Sequence, residues 1–369
     1  MGFLARMASW VGLGAGIYAA ARLAPVVLDR FQGGMPETRL LLALGLFLVL
    51  TTIGVSLGAV VGGSVRRLIP PGTSRRTADR AAGGIIGGLG GLVLVWLLLP
   101  ILAEVPGVVS ETARNSSIAR QIDRVGPSTP RALQDLRRQV SDANFPEVFS
   151  RLGPSPRTGP PPGEVALPDA VRDRVAQSTV KVSGTACGRV LSGSGFSPGA
   201  DIIVTNAHVV AGVDRPSVLR TDGRRIQATV VVFDPGRDLA VLRAPGLGQA
   251  ALSVADADAG DEGAVYGHPG GQERLVISPA RIESKVNAQG LDLYGDRPIR
   301  RQVLVLAAAL EPGDSGGALV DVSGRVVGVA FAVAPDKPAT AYALAAEELR
   351  AVLEAPRGRE ADTGPCIRS

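Results

Sequence analysis

The chain has 369 residues, 46% of them hydrophobic and only 4% aromatic, and a formal net charge of +5, a length that permits two domains with a sizeable core. The charge is unevenly divided: residues 1–163 carry +8, all of their positive charge arginine, and residues 164–369 carry −3. The basic excess lies among and just after apolar segments, without basic-aromatic interleaving, so no nucleic-acid partner is expected.

Three apolar stretches come first. Residues 40–65 and 81–103 contain no charge over lengths that cross about 30 Å of hydrocarbon as helices. Residues 7–28 are similar apart from Arg22, and with no small-residue cleavage site leading into a soluble domain they are read as a third span rather than an interfacial helix or signal peptide. The loop between the second and third stretches carries Arg66, Arg67, Arg75, Arg76 and Arg80 against Asp79. Short arginine-rich loops stay cytoplasmic, which puts everything after Glu104 outside. Gly54, Gly58 and Gly62 share one helical stripe and Gly83, Gly87 and Gly91 another, spacings that let helix backbones approach closely in lipid.

Residues 1–105 therefore form the membrane region and 106–163 a juxtamembrane region. Within the latter, Pro130 to Val140 predicts a short amphipathic helix, and 153–163, GPSPRTGPPPG, a linker without regular structure that is open to cleavage. From 164 onward short apolar runs alternate with turn residues. The clearest strands are 180–182, 202–205, 226–233, 240–242, 264–266, 275–277, 302–306 and 326–331, followed by a helix over 345–354. This pattern suits two closed β-barrels with a site in the crevice between them.

The chemistry concentrates in Gly313-Asp314-Ser315-Gly316-Gly317. A serine hydroxyl is a weak nucleophile and needs a base within hydrogen-bond reach, with donors aimed at the oxygen that becomes negative. Flanking glycines let the chain turn so that the N–H groups of Gly313 and Ser315 face one cavity, an oxyanion hole. Upstream, Thr205-Asn206-Ala207-His208-Val209-Val210 runs a strand into a histidine, and Arg237-Asp238-Leu239-Ala240-Val241-Leu242 leads an aspartate into another strand. A lone GDSGG suits an ordinary turn as well. Three blocks in the order His, Asp, Ser are far more specific.

Together these blocks resemble those of trypsin-like serine proteases, especially the HtrA-type bacterial branch. The resemblance implies that His208 is the general base, Asp238 its orienting partner and Ser315 the nucleophile. By the same alignment Ala309 lies at the base of the pocket for the residue before the scissile bond. Val329, Ala330, Phe331 and Ala332 lie near its wall, which favours an apolar residue there. Glycine-rich spans joined to such a domain resemble the actinobacterial membrane-anchored proteases with a CvpA-like region. That family has four spans where three are counted here, and a start upstream of Met1 would supply the fourth. Too few residues follow the last helix for the PDZ domain of HtrA-type enzymes.

The expected protein is thus a multi-span α-helical membrane region joined to an all-β, chymotrypsin-like double-barrel domain. It would be a periplasmic serine endopeptidase held in the lipid bilayer, cutting proteins or peptides of the cell envelope without a metal or organic cofactor, with a role in acid or other stress resistance implied by the resemblance alone. Cys187 and Cys366 are the only cysteines. In an oxidising exterior they are expected to pair, closing a loop worth about 5 kcal/mol on the chain-entropy model; two structural thiols are the alternative. His268 reads as a turn histidine at a strand end. A catalytically idle protease fold serving as a membrane sensor or secretion-accessory scaffold is the rival reading. It gives no reason to retain His208, Asp238 and Ser315 together.

Overall fold

The computed structural model describes residues 2–29, 36–66, 74–103, 107–125, 148, 154–186, 188–356, 358 and 360–367. The chain divides into two compact units, Met1–Leu97 and Leu98–Ser369. Three long helices, α1 (Phe3–Asp29), α2 (Pro36–Arg66) and α3 (Ser74–Leu102), stand where three spans were expected. Among the described residues only Gly45–Ser64 within α2 is long and apolar enough to cross a membrane, at a mean hydropathy of 2.1. In α3 the apolar segment is the shorter Ala81–Val93, and α1 carries Arg22 amid alanine and glycine.

Within the first unit α1 and α2 meet backbone to backbone. A Cβ added at Gly12 or Gly54 would run into the other residue's carbonyl oxygen, one at Gly58 into Ala8, and one at Gly16 into Leu50. The Gly54/Gly58 stripe is therefore a packing surface. On α3 the stripe shifts from the one expected: Gly87 lies under Arg6 and Gly90 under Trp10, whereas Gly91 meets nothing within 4 Å.

The second unit begins with short helices α4 (Val108–Asn115) and α5 (Ser117–Val125). The helix expected over Pro130 to Val140 lies outside the described residues. After α6 (Asp169–Ser178) come β1 (Thr179–Ala186), β2 (Arg189–Gly199), β3 (Ile202–Thr205), the single turn α7 (Ala207–Val210), β4 (Ser217–Arg220), β5 (Arg225–Gln227), β6 (Thr229–Asp234) and β7 (Leu239–Arg243). These form a curled seven-stranded sheet in the order β5-β4-β1-β2-β3-β7-β6. The next six are β8 (Glu262–Gly267), β9 (Val276–Leu291), β10 (Pro298–Ala307), β11 (Ala318–Asp321), β12 (Val326–Ala334) and β13 (Lys337–Ala345), and they close a barrel; α8 (Ala346–Leu353) ends the fold.

Two closed barrels were expected, and the first sheet is not one. The run 226–233, read as one strand, breaks at Ala228, whose N–H turns aside to Pro216 O at 2.9 Å. The pieces on either side, β5 and β6, are the two edges of the sheet. Its edges are therefore joined covalently through one residue, and consecutive segments of one chain run cannot also pair side by side.

Alternation along the barrel strands distributes the core. Leu304 and Leu306 of β10 and Leu319 of β11 point into the barrel, packed with Ile282 and Ala330. Val303, Val305, Ala318, Val329 and Phe331 point the other way, against Phe196, Val204, Leu239 and Val241 of the first sheet and Leu349 of α8. Both faces are apolar, so these strands read as continuous hydrophobic runs and bind the two sheets into one body.

The linker departs from its expected openness to cleavage. Residues 154–163 have no helix or strand, yet they are strapped to the barrel. The buried Asp336 carboxylate, in the β12–β13 turn, accepts the N–H of Ser155 at 3.0 Å and its hydroxyl as well. Lys337 Nζ donates to the carbonyls of Ser155 (2.8 Å) and Pro156 (3.1 Å), and Arg281 Nη2 to that of Pro160 (3.1 Å). A chain without internal hydrogen bonds is held here through its backbone. Cys366, near the other end, packs against Gly212; Cys187 lies outside the described residues.

Candidate active site

His208 is delivered by α7, directly after β3, and Asp238 by the turn that enters β7, which pairs with β3. Adjacent strands thus bring together residues thirty positions apart. Asp238 is fully buried and has φ 56°, a left-handed conformation that aspartate tolerates better than most residues. Both its carboxylate oxygens serve the histidine: Oδ1 accepts the His208 backbone N–H at 2.9 Å, and Oδ2 meets Nδ1 at 2.8 Å. Asn206 Nδ2 donates to Asp238 O at 2.8 Å and secures the turn from behind. With Nδ1 engaged, Nε2 is the ring nitrogen left for a second partner.

Ser315, 4% exposed, lies in the turn between β10 and β11. Around it the backbone donors are committed: Asp314 N bonds Glu311 O (3.1 Å), Gly316 N bonds Ala330 O (2.8 Å) and Gly317 N bonds Asp314 O (2.9 Å). Among the described residues the N–H groups of Gly313 and Ser315 donate to no protein acceptor. The turn therefore offers two uncommitted donors beside one serine. Gly313 has φ 105°, and a Cβ there would strike the carbonyl oxygen of His268, so only glycine fits. Among the described residues no hydrogen bond joins Ser315 to His208.

Asp314 keeps to its own turn, as Oδ2 accepts the Glu311 N–H at 2.9 Å. Burial pushes its carboxyl up to about 6, against the opposing pull of that hydrogen bond. His268 is buried, its ring nitrogens make no hydrogen bond of good geometry among the described residues, and burial lowers its pKa; its backbone N–H donates to Ser194 Oγ at 2.8 Å. Ala309 is exposed, whereas Val329, Ala330, Phe331 and Ala332 are buried and can offer a ligand only backbone.

Two residues of the site escaped the sequence reading. Ser194, buried in β2, donates from Oγ to Gly313 O (2.7 Å) and from N to Ser315 O (2.7 Å), so it holds the serine turn at two points. Its signal, a serine between glycines, is weak. Arg301, 2% exposed in β10, donates from Nε to Gly236 O at 2.7 Å, two residues before Asp238. An arginine ahead of an apolar strand gives no hint of that reach.

A buried His–Asp pair from one sheet and a serine turn with spare donors from the barrel define a trypsin-like serine protease, and the chain belongs to that family. Residues 193–329 match the trypsin-like peptidase domain and residues 1–127 the colicin V production protein. Over 99% of its length the chain is 34% identical to 94% of serine protease Rv3671c of Mycobacterium tuberculosis H37Rv. It is 30% identical to the serine protease Do-like HtrA of Lactococcus lactis, over 58% of this chain and 49% of that one. The crystal structure of the active form of the Rv3671c protease covers 59% of this chain and 100% of its own, at 38% identity and a TM-score of 0.52. The chain is accordingly a serine endopeptidase with a membrane-associated N-terminal region.

Proposed function

We propose that the protein is a multi-span, membrane-anchored protease whose catalytic domain faces the cell exterior, with His208, Asp238 and Ser315 as its triad. The observation that carries this reading is the double hydrogen bond from Asp238 to the backbone and ring of His208. It fixes the tautomer that leaves Nε2 to take the Ser315 proton. As Oγ bonds to the scissile carbonyl carbon, the N–H groups of Gly313 and Ser315 stabilise the oxygen that becomes negative. His208 then returns the proton to the leaving amine and the C–N bond breaks; water attacks the acyl-enzyme by the same route. The Ser315–His208 contact closes when substrate binds, since such hydrogen bonds are commonly long in free enzymes.

Three spans of α1, α2 and α3, with the Arg66–Arg80 loop inside, are the topology that goes with this reading. Envelope proteins or peptides are the substrates and acid stress the setting, the latter on likeness to the protease family alone. Ala309 and the backbone of 329–332 form the proposed pocket, and Cys187 pairs with Cys366 in the oxidising exterior. Detergent-solubilised full-length chain should hydrolyse casein, with loss of at least ~10³-fold on Ser315→Ala. Equal hydrolysis by both proteins would sink the assignment.

A further inference from the structure

Arg301 is an expensive residue to bury. Its side chain lies on the barrel face that meets the first sheet, with the guanidinium 5.8 Å from the centroid of the Phe331 ring. Nε donates to Gly236 O (2.7 Å) and Nη2 to Leu291 O (3.0 Å), while Nη1 has no hydrogen-bond partner among the described residues. Among the described residues no carboxylate lies within ion-pair distance of it. A buried cation without a close counter-charge costs stability, and an apolar residue of that size would avoid the cost.

The charges around it point to the reason. Asp234 and Arg237 stand on the turn that carries Asp238, Asp292 and Arg297 on the β9–β10 connection, and Glu348 on α8. Arg237 pairs with Asp234 and with Glu348, both at 3.0 Å, and Arg297 with Asp292 at 3.1 Å. Each of those three carboxylates already has a guanidinium. Among the described residues His208 is the one basic side chain within ion-pair distance of Asp238.

We propose that Arg301 is a positioning residue of the catalytic aspartate: it holds the Asp234–Asp238 turn against β10 and sets its charge against that of Asp238. The proposal rests on the triad reading. Burial lowers the Arg301 pKa, and of the carboxylates that oppose this Asp238 acts most strongly, ahead of Glu348, Asp234 and Asp292. Arginine nonetheless stays cationic throughout the working range. Through Phe331 the same side chain also touches the strand beside the serine turn.

The test uses the full-length chain, with kcat and KM for a peptide substrate measured from pH 5 to 9 and melting followed in parallel. Arg301→Met should lower kcat about 10- to 100-fold with KM within about threefold. Arg301→Lys keeps the charge but not the fork that reaches both Gly236 O and Leu291 O, and should still lose kcat. In an Asp238→Asn background, Arg301→Met should cost less than about threefold, because its target charge is gone. Wild-type kcat in a folded Met variant would overturn the proposal, and so would an equal loss in both backgrounds. If the Met variant does not fold, Arg301→Lys decides: a kcat loss that vanishes in Asp238→Asn supports the role, and an unchanged kcat refutes it. Failure of the triad itself reads differently, as hydrolysis that survives Ser315→Ala.

Discussion

Asp314 stands one residue from the nucleophile with its carboxyl buried, and among the described residues its one side-chain hydrogen bond comes from Glu311 N. With its pKa raised to about 6, it favours folding while protonated and loses that contribution as pH rises through 6. The span from an ordinary carboxylate to about 6 corresponds to about 3 kcal/mol. Asp314→Asn keeps an acceptor for Glu311 N without the charge. The variant should therefore gain melting temperature relative to wild type between pH 4 and pH 7; a constant difference across that range would show that Asp314 does not titrate there. At this scale the sequence was legible wherever chemistry dictates the residue type: a histidine ending one strand, an aspartate starting another, a serine among glycines. It was silent on Ser194 and Arg301, which act by reaching backbone atoms far along the chain.

β2 illustrates the same limit for an element. Its sequence, RVLSGSGFSPG, has little intrinsic strand preference, and it forms because β1 and β3 pair with it on either side. That placement sets Ser194 between the serine turn and His268. Thr205 Oγ1 closes the arrangement by donating to Ser194 O at 2.7 Å. Ser194→Ala would leave the carbonyl of Gly313 and the N–H of His268 buried without that partner, a loss of about 1–3 kcal/mol. It should also lower kcat more than it raises KM, since the Gly313 donor is no longer held in place. A variant with lowered stability but wild-type kcat would separate Ser194 from catalysis. Strands such as β10 and β12 were easier to anticipate, because burial on both faces makes them apolar runs; β2 and β4 of the sheet and β11 and β13 of the barrel were missed. The split of 226–233 at Ala228 was not, because closure through an edge is a property of the whole sheet.

For the whole molecule, the strap is the main departure from expectation. Composition alone makes 153–163 a loose linker, yet Asp336, Lys337 and Arg281 hold its backbone on the barrel, and Gly107 N reaches Pro335 O at 3.2 Å in the same β12–β13 turn. The segment before the protease domain thus grips the hairpin that continues β12. Asp336→Ala should release the strap and speed trypsin cleavage after Arg157 by about tenfold or more, because proteolysis follows local opening. Cleavage at the wild-type rate would mean that the carboxylate does not hold it.

The most direct test of the catalytic assignment is labelling of the full-length protein by a fluorophosphonate, which reacts with a serine only when a base activates it. Wild type should label, and Ser315→Ala and His208→Ala should not. Labelling that persists in Ser315→Ala, or wild-type protein that never labels in membranes or in detergent, would contradict the triad.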